Sequence, residues 1–223
     1  MRLTRAAIRR GRHPAVWNWA SGVVIRKRGK GDYTKLKAYR SISLLSYMGK
    51  VVEKVAVELL SEAAEMRGLL SDGQFGSRKG WSTIDTVAIM VDRAHAAWTN
   101  GHIKGVVLMD IKAAFRSMAK GRLVHIMNLR QMDADLIQWT ESFVLERTVE
   151  MVIEDNAIER HPVEAGVPQG SPVSPILFAI YTSGLIKSVE EYVSEAEGLS
   201  FVDDLGWMVT GSDVNYVVPI LES

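Results

Sequence analysis

Apolar residues in this chain recur in two rhythms, one helical and one strand-like. From Ser46 to Met66 the positions Met48, Val51, Val52, Val55, Leu59, Leu60, Ala63 and Met66 follow helical spacing, which predicts a helix with these side chains in the core and Gly68 at its end. Ser82, with Asp85 three residues on, reads as a capping-box start for a helix running to about Thr99, where Asn100-Gly101 stops it. Helical patterns also cover about 119–131 and 133–146. A further helix is capped at Ser174, because Pro175 would block a ladder bond had it begun at Ser171, and it runs to about Val193.

The strand-like rhythm fills the gaps between these helices. Val23-Val24-Ile25 reads as a strand leading into a basic turn, Arg26 to Gly31, and the basic stretch Lys35 to Arg40 leads into a second apolar run, SISLL. Val106-Val107-Leu108-Met109 is continuously apolar and ends abruptly in Asp110, the pattern of a buried strand with a carboxylate at its tip. TVEMVIE and AIERHPV about Asp155-Asn156 predict one hairpin, and GLSFV and LGWMV about Asp203-Asp204 predict another. The segments 72–83 and 165–173 are loops by their glycines and prolines.

Asp203-Asp204 carries the first chemical signal. Aspartate is a favoured turn residue. Two carboxylates at about 4 Å nevertheless repel by roughly 4 kcal/mol at an effective dielectric of 20, and Asn-Gly or Asp-Gly closes a hairpin without that cost. A cation between the two resolves the conflict. If the strand ending in Asp110 neighbours the hairpin, three carboxylates converge on one spot. Hard oxygen ligands with no His or Cys nearby suit Mg²⁺ or Mn²⁺ rather than zinc. A pair of Mg²⁺ ions held by carboxylates is the arrangement for in-line phosphoryl or nucleotidyl transfer.

Charge sharpens this picture. The net charge is only +1, yet residues 1–50 hold thirteen Lys and Arg against the single acid Asp32, so that segment is +12 and the remainder −11. Such asymmetry predicts a basic lobe facing a polyanion beside an acidic one. Trp17, Trp19, Tyr33 and Tyr39, interleaved with the basic residues, favour an ordered lobe over a solvated tail. Cysteine is absent, which excludes disulfides and thiolate metal sites and fits an intracellular setting, nuclear or cytoplasmic. No apolar run is long enough to span a membrane, so no membrane partner is expected.

Five segments in order, LLSYMGKVVEKV, QFGSRKGWSTIDTV, LMDIKAAF, AGVPQGSPVSPILFAIY and FVDD, resemble reverse transcriptases, and most closely those of non-LTR (LINE-type) retrotransposons. The resemblance covers about Val23 to Gly211. It implies an α+β right-hand polymerase, with fingers over 1–102 and 118–163 and a palm with a ferredoxin-like sheet over 103–117 and 164–223, together one reverse transcriptase domain. The implied function is RNA-directed DNA polymerase activity, with an RNA template, a DNA primer, dNTPs and two Mg²⁺ ions, for which Mn²⁺ can substitute. Asp110 and Asp203 are the implied metal ligands with Asp204 beside them. Phe115 is implied as the gate against a 2′-hydroxyl, Gln169 and Gly170 as nucleotide contacts, Arg40 with Lys27 or Lys30 as triphosphate contacts, and Arg78 and Lys79 as template contacts.

This chain departs from the family pattern at Arg116, where relatives carry an acidic or small residue, and at Arg78-Lys79, where Arg-Pro is frequent. It ends about twenty residues after FVDD, which places the thumb and the endonuclease of the larger polyprotein outside it. The alternative expectation is a catalytically dead remnant that at most binds nucleic acid through the basic lobe.

Overall fold

Hydrophobic periodicity becomes structure where a cap or a breaker defines its ends. The computed structural model describes residues 2–153, 156–157 and 159–222, and Asp155 of the expected hairpin turn lies outside the described residues. The helices are α1 Arg2–Arg9, α2 Tyr47–Met66, α3 Thr83–Thr99, α4 Ala114–Ser117, α5 Lys120–Leu129, α6 Ala134–Leu145, α7 Ser174–Thr182, α8 Leu185–Tyr192 and α9 Val214–Glu222. The strands are β1 Trp19–Arg26, β2 Tyr39–Leu44, β3 Ile103–Asp110, β4 Thr148–Ile153, β5 Asn156–Ala157, β6 His161–Pro162, β7 Ala196–Phe201 and β8 Asp204–Gly211. The result is a mixed α+β fold of two compact units, residues 1–63 with 115–174 and residues 64–114 with 175–223.

In the first unit, β1 is the middle of a mixed sheet. It pairs antiparallel with β2, from Ser21↔Leu44 to Arg26↔Tyr39, and parallel with β4, from Trp19↔Thr148 to Val23↔Val152. A parallel neighbour needs a long crossover, and here more than a hundred residues separate the two strands. No local pattern announces such a pair. On α2 the buried apolar side chains are Val52, Ala56, Leu60, Ala63 and Ala64, whereas Met48, Val51, Leu59 and Met66 are exposed. The buried stripe is therefore narrower than the apolar one, and it includes the carboxylate of Glu53. Helix α6 packs on α5 and α1 and carries the aromatic core. Trp139 and Phe143, both fully buried, stack at 5.3 Å between centroids.

His13 sits edge-on against Trp17, Trp139 and Phe143, almost wholly buried, with neither ring nitrogen hydrogen-bonded. Burial, and secondarily the charge of Arg147, lower its pKa from 6.5 to about 4. Below pH 6.5 the unfolded chain binds a proton that the folded one refuses until about pH 4, so stability falls with acid across that window. The expected loss is about 3 kcal/mol. Urea titrations at several pH values should show that decline flattened in His13→Phe; parallel declines in both proteins would remove His13 as its source.

In the second unit, three antiparallel strands stand in the order β3-β8-β7. β8 is central and almost wholly buried, with Met208 and Val209 at zero exposure. β3 corrects an expectation. Among the described strands it pairs with β8 alone, at the edge of the sheet, and although α3 and α9 both pack on it, Val106, Leu108 and Met109 are exposed. Helix α9 packs on β3 and β8, where Val217, Ala196 and Val209 form one buried cluster. Helix α3 starts with the expected capping box: Ser82 Oγ accepts from Asp85 N, and the Asp85 carboxylate accepts from Ser82 N at 2.7 Å.

The helix expected from Ser174 to Val193 is broken at Ser183-Gly184 into α7 and α8. Thr182 Oγ1 bonds back to the Phe178 carbonyl at 2.9 Å, and glycine follows two residues later. Hydroxyls that compete for backbone groups, followed by glycine's weak helix propensity, end the first segment.

Candidate active site

The hairpin of β7 and β8 turns through two residues, Val202 and Asp203. Val202 has φ +59, and Asp203 does not share that region. Positive φ at the first central residue alone is the pattern of a type II′ turn, where glycine is usual. A β-branched valine there stores strain of about 1–3 kcal/mol. The β3–β8 register places Asp110 directly opposite Asp204, and Ile111 N donates to the Asp203 carbonyl at 3.1 Å. Directly opposed residues project to the same face of a sheet with Cβ atoms about 5 Å apart. All three aspartates thus meet at one end of the sheet.

Among the described residues, no Lys or Arg forms an ion pair with any of the three. Like charges facing across a ladder without a cation are destabilising, and a bound divalent ion removes that repulsion. No three His, Cys, Asp or Glu side chains among the described residues already close around a metal position. What stands at the hairpin is a pair of opposed carboxylates with a third beside them, largely open to solvent. That donor set fits Mg²⁺, which binds through one or two carboxylates and completes its shell with water and substrate phosphates.

The expected triphosphate contacts lie in the first unit. Arg26, Lys27, Arg28, Lys30 and Arg40, with Ile25 and Ile42, line a cleft of about 440 Å³. Arg26 and Arg28 were not singled out by sequence, although both lie in the basic turn that flagged the region. The turn is ordered by tyrosines: Lys27 N bonds to Ala38 O at 2.8 Å, Tyr33 Oη donates to Lys27 O, and Tyr39 Oη donates to Tyr33 O, each at 2.9 Å. Arg26 lies over the Tyr33 ring at 5.5 Å. Five cations without an acid in the lining make a site for a polyanion.

The Gln169-Gly170 loop belongs to the same unit. Ser43 N on β2 donates to Gln169 O at 2.8 Å, and a Cβ on Gly170, which has φ +129, would stand 2.5 Å from Ser43 O. Only glycine fits there. The base of the loop is tied to the Phe115 backbone, because Val167 N donates to Phe115 O at 2.7 Å. Phe115 itself is half-buried. The structure thus gathers Arg40's strand, Phe115 and Gln169-Gly170 in one unit.

Glu53 was missed by sequence reasoning, since it looks like a solvent-facing helix residue. It is 1% exposed and accepts a hydrogen bond from Ser171 Oγ just beyond Gly170. Burial pushes its carboxyl above the usual range, with Ser171, Arg147 and Lys50 opposing that shift.

The expected template contacts part company. Lys79 is exposed. Arg78 spends its guanidinium on the protein: Nε and Nη2 clamp the Glu65 carboxylate at 2.7 and 2.8 Å, and Nη1 donates to Ser71 O and Gln74 O. This bidentate pair braces the loop that carries Arg78.

A family model described as reverse transcriptase (RNA-dependent DNA polymerase) matches residues 25–219. The chain is 29% identical over 173 residues to a probable RNA-directed DNA polymerase from transposon BS of Drosophila melanogaster, covering 77% of this chain and 19% of that protein. It is 29% identical over 175 residues to the RNA-directed DNA polymerase from mobile element jockey of the same organism, covering 78% and 19%. It therefore spans about a fifth of the length of the curated relatives it matches. Among solved structures, the telomerase from Candida albicans in complex with a TWJ fragment of telomeric RNA superposes with a TM-score of 0.66 at 12% identity, over 95% of this chain and 40% of that one. Apo telomerase from Candida tropicalis, truncated from its C-terminal domain, gives 0.64 at 14%, over 93% and 46%. At such identities these two structures show a shared fold alone. The matched span and the mobile-element relatives fit the opposed aspartates and the ordered motifs: the chain belongs to the reverse transcriptase family, among the enzymes of non-LTR retrotransposons.

Proposed function

We propose that this chain carries the nucleotidyl-transfer core of an RNA-directed DNA polymerase, adding dNTPs to a primer 3′-hydroxyl on an RNA template. The observation that carries the reading is the register of Asp110 against Asp204, with Asp203 in the adjoining turn, inside a chain of the reverse transcriptase family. The unit bearing the basic cleft acts as fingers and the three-stranded unit as palm. The primer 3′-oxygen bonds to the α-phosphorus of the dNTP, the bond from that phosphorus to its bridging oxygen breaks, and pyrophosphate leaves. Two Mg²⁺ ions, when bound, supply Lewis acidity for the attacking hydroxyl and the leaving oxygens.

The residues have separable tasks. Asp110 and Asp203 hold the ions, with Asp204 in support. Arg40 and the cations at Arg26, Lys27, Arg28 and Lys30 neutralise the triphosphate. Gln169 and Gly170, held against β2, contact the incoming nucleotide. Phe115 bars a 2′-hydroxyl, and Lys79 meets template phosphate.

Extension of a DNA primer on an RNA template, run with dNTPs and then with rNTPs, tests this assignment. Phe115→Val should relax discrimination against rNTPs by about a hundredfold, since a ring filling the 2′ position is worth a few kcal/mol. Unchanged discrimination would remove Phe115 as the gate. Salt-sensitive RNA binding with no extension would instead favour the binding remnant.

A further inference from the structure

The glycine-rich segment ahead of α3, Gly73-Gln74-Phe75-Gly76, has no task in the chemistry above. In the fold it lies along the aspartate hairpin. Ser200 N donates to Gly73 O at 2.7 Å and Phe75 N donates to Ser200 O at 2.9 Å, so Gln74 forms a parallel bridge with Ser200 on the outer side of β7. The Gln74 side chain, 4% exposed, is anchored on α7 by Nε2 donating to Ala179 O at 2.8 Å and to Thr182 Oγ1 at 3.3 Å. Phe75 joins Leu199 and Met208 in a buried cluster under the hairpin. Arg78 and Glu65 tie off the far end of the segment.

The segment reaches the turn itself at Gly76. A Cβ there would lie 2.3 Å from Val202 N, 2.9 Å from Val202 Cγ2 and 3.0 Å from Val202 Cα. Any side chain at Gly76 would press on the turn residue held at positive φ, so glycine there leaves the space that Val202 occupies. A strained β-branched residue keeps such a conformation only when its surroundings fix it.

We propose that Gly73–Gly76 is a positioning clamp: it holds Val202 in the strained turn and thereby sets where Asp203 and Asp204 stand relative to Asp110. Gly76 and Gln74 act through the hairpin and touch no substrate. The proposal rests on the reading of these aspartates as metal ligands.

The test uses the full chain, with Mn²⁺ alone as the probe of the hairpin, its binding read by electron paramagnetic resonance. Hydrogen exchange over residues 198–206 and the chemical unfolding midpoint are measured on the same proteins. Gly76→Ala should weaken Mn²⁺ binding by about tenfold, the range of effects from residues that orient ligands. Exchange at the Ser200 and Asp204 amides should quicken while helices α5 and α6 keep their protection. Val202→Gly in that background should restore part of the affinity, because glycine removes Cγ2 and adopts positive φ freely, which lets the turn backbone give way to the added Cβ. Gln74→Ala keeps both glycines and loses only the anchor on α7, and it should weaken Mn²⁺ binding in the same direction; it serves where Gly76→Ala does not fold.

Wild-type Mn²⁺ affinity in both Gly76→Ala and Gln74→Ala would overturn the clamp. So would a loss that tracks global unfolding and is not recovered by Val202→Gly. A wild type that binds Mn²⁺ through Asp203 but extends no primer would sink the polymerase reading and leave the clamp standing. A wild type that binds no Mn²⁺ would overturn both.

Discussion

Replacing Asp110 by Asn is expected to lower primer extension by at least about a thousandfold and to leave the metal-free fold slightly more stable. The two effects have one cause. Asp110 faces Asp204 across the ladder, and among the described residues neither is paired with a cation. Asparagine keeps the shape and removes a charge, so the repulsion between facing carboxylates disappears and melting without metal should rise by about 2 °C. In the proposed reading the same charge holds a divalent ion. Losing several kcal/mol of transition-state stabilisation, at 1.36 kcal/mol per decade, gives the thousandfold drop or more. Extension rates with Mg²⁺ and melting curves in chelator check the two arms together. A variant that loses activity and stability in parallel would mark Asp110 as structural, and the metal assignment would fall.

The second large effect concerns stability. Trp139 is fully buried, stacks on Phe143 and meets the His13 ring edge-on at 5.5 Å. Trp139→Ala should cost about 3–5 kcal/mol, because the stacked rings around it cannot collapse into the space. Against a typical domain stability of about 5–15 kcal/mol, that is a large fraction. Trp139→Phe is the informative partner. The indole Nε1 has no hydrogen-bond partner, so the smaller ring removes an unsatisfied donor along with some volume. Its cost should stay below about 1.5 kcal/mol. Urea unfolding of the two variants checks the contrast; equal losses would mean that Trp139 matters for its N–H and not for its packing.

Local patterns in the sequence reach some of this structure and miss the rest for identifiable reasons. The capping box at Ser82, the helix over 47–66 and the β7–β8 hairpin are written in residues within a few positions of one another, and each forms, the hairpin turning one residue earlier than expected, at Val202-Asp203. The parallel pairing of β1 with β4 joins distant segments, so only tertiary packing reveals it. Apolar content misleads where an element is an edge or a half-covered helix. Leu108 on β3 and Met48 on α2 read as core and are exposed. Charged residues also hide their surroundings: Glu53, which carries no sequence signal, is buried against Ser171, and Arg78, expected at the template, pairs with Glu65.

For the site, the three aspartates and the basic turn were legible because their chemistry is unusual for the elements that carry them. Arg26 and Arg28 emerged only when the loop's fold showed five cations around one cleft. Gly76 could not have been found from pattern, because a close approach to Val202 exists only once the hairpin and the loop are in place.

Asp110, Asp203 and Asp204 are proposed to form a metal-dependent nucleotidyl-transfer centre. Its most direct measurement is extension of a labelled DNA primer annealed to RNA, with dNTPs and Mg²⁺, by the wild type and by Asp203→Ala matched for folding by melting. The expected result is templated extension by the wild type, abolished by chelator, and none above background for Asp203→Ala. Equal extension by the two folded proteins would contradict it.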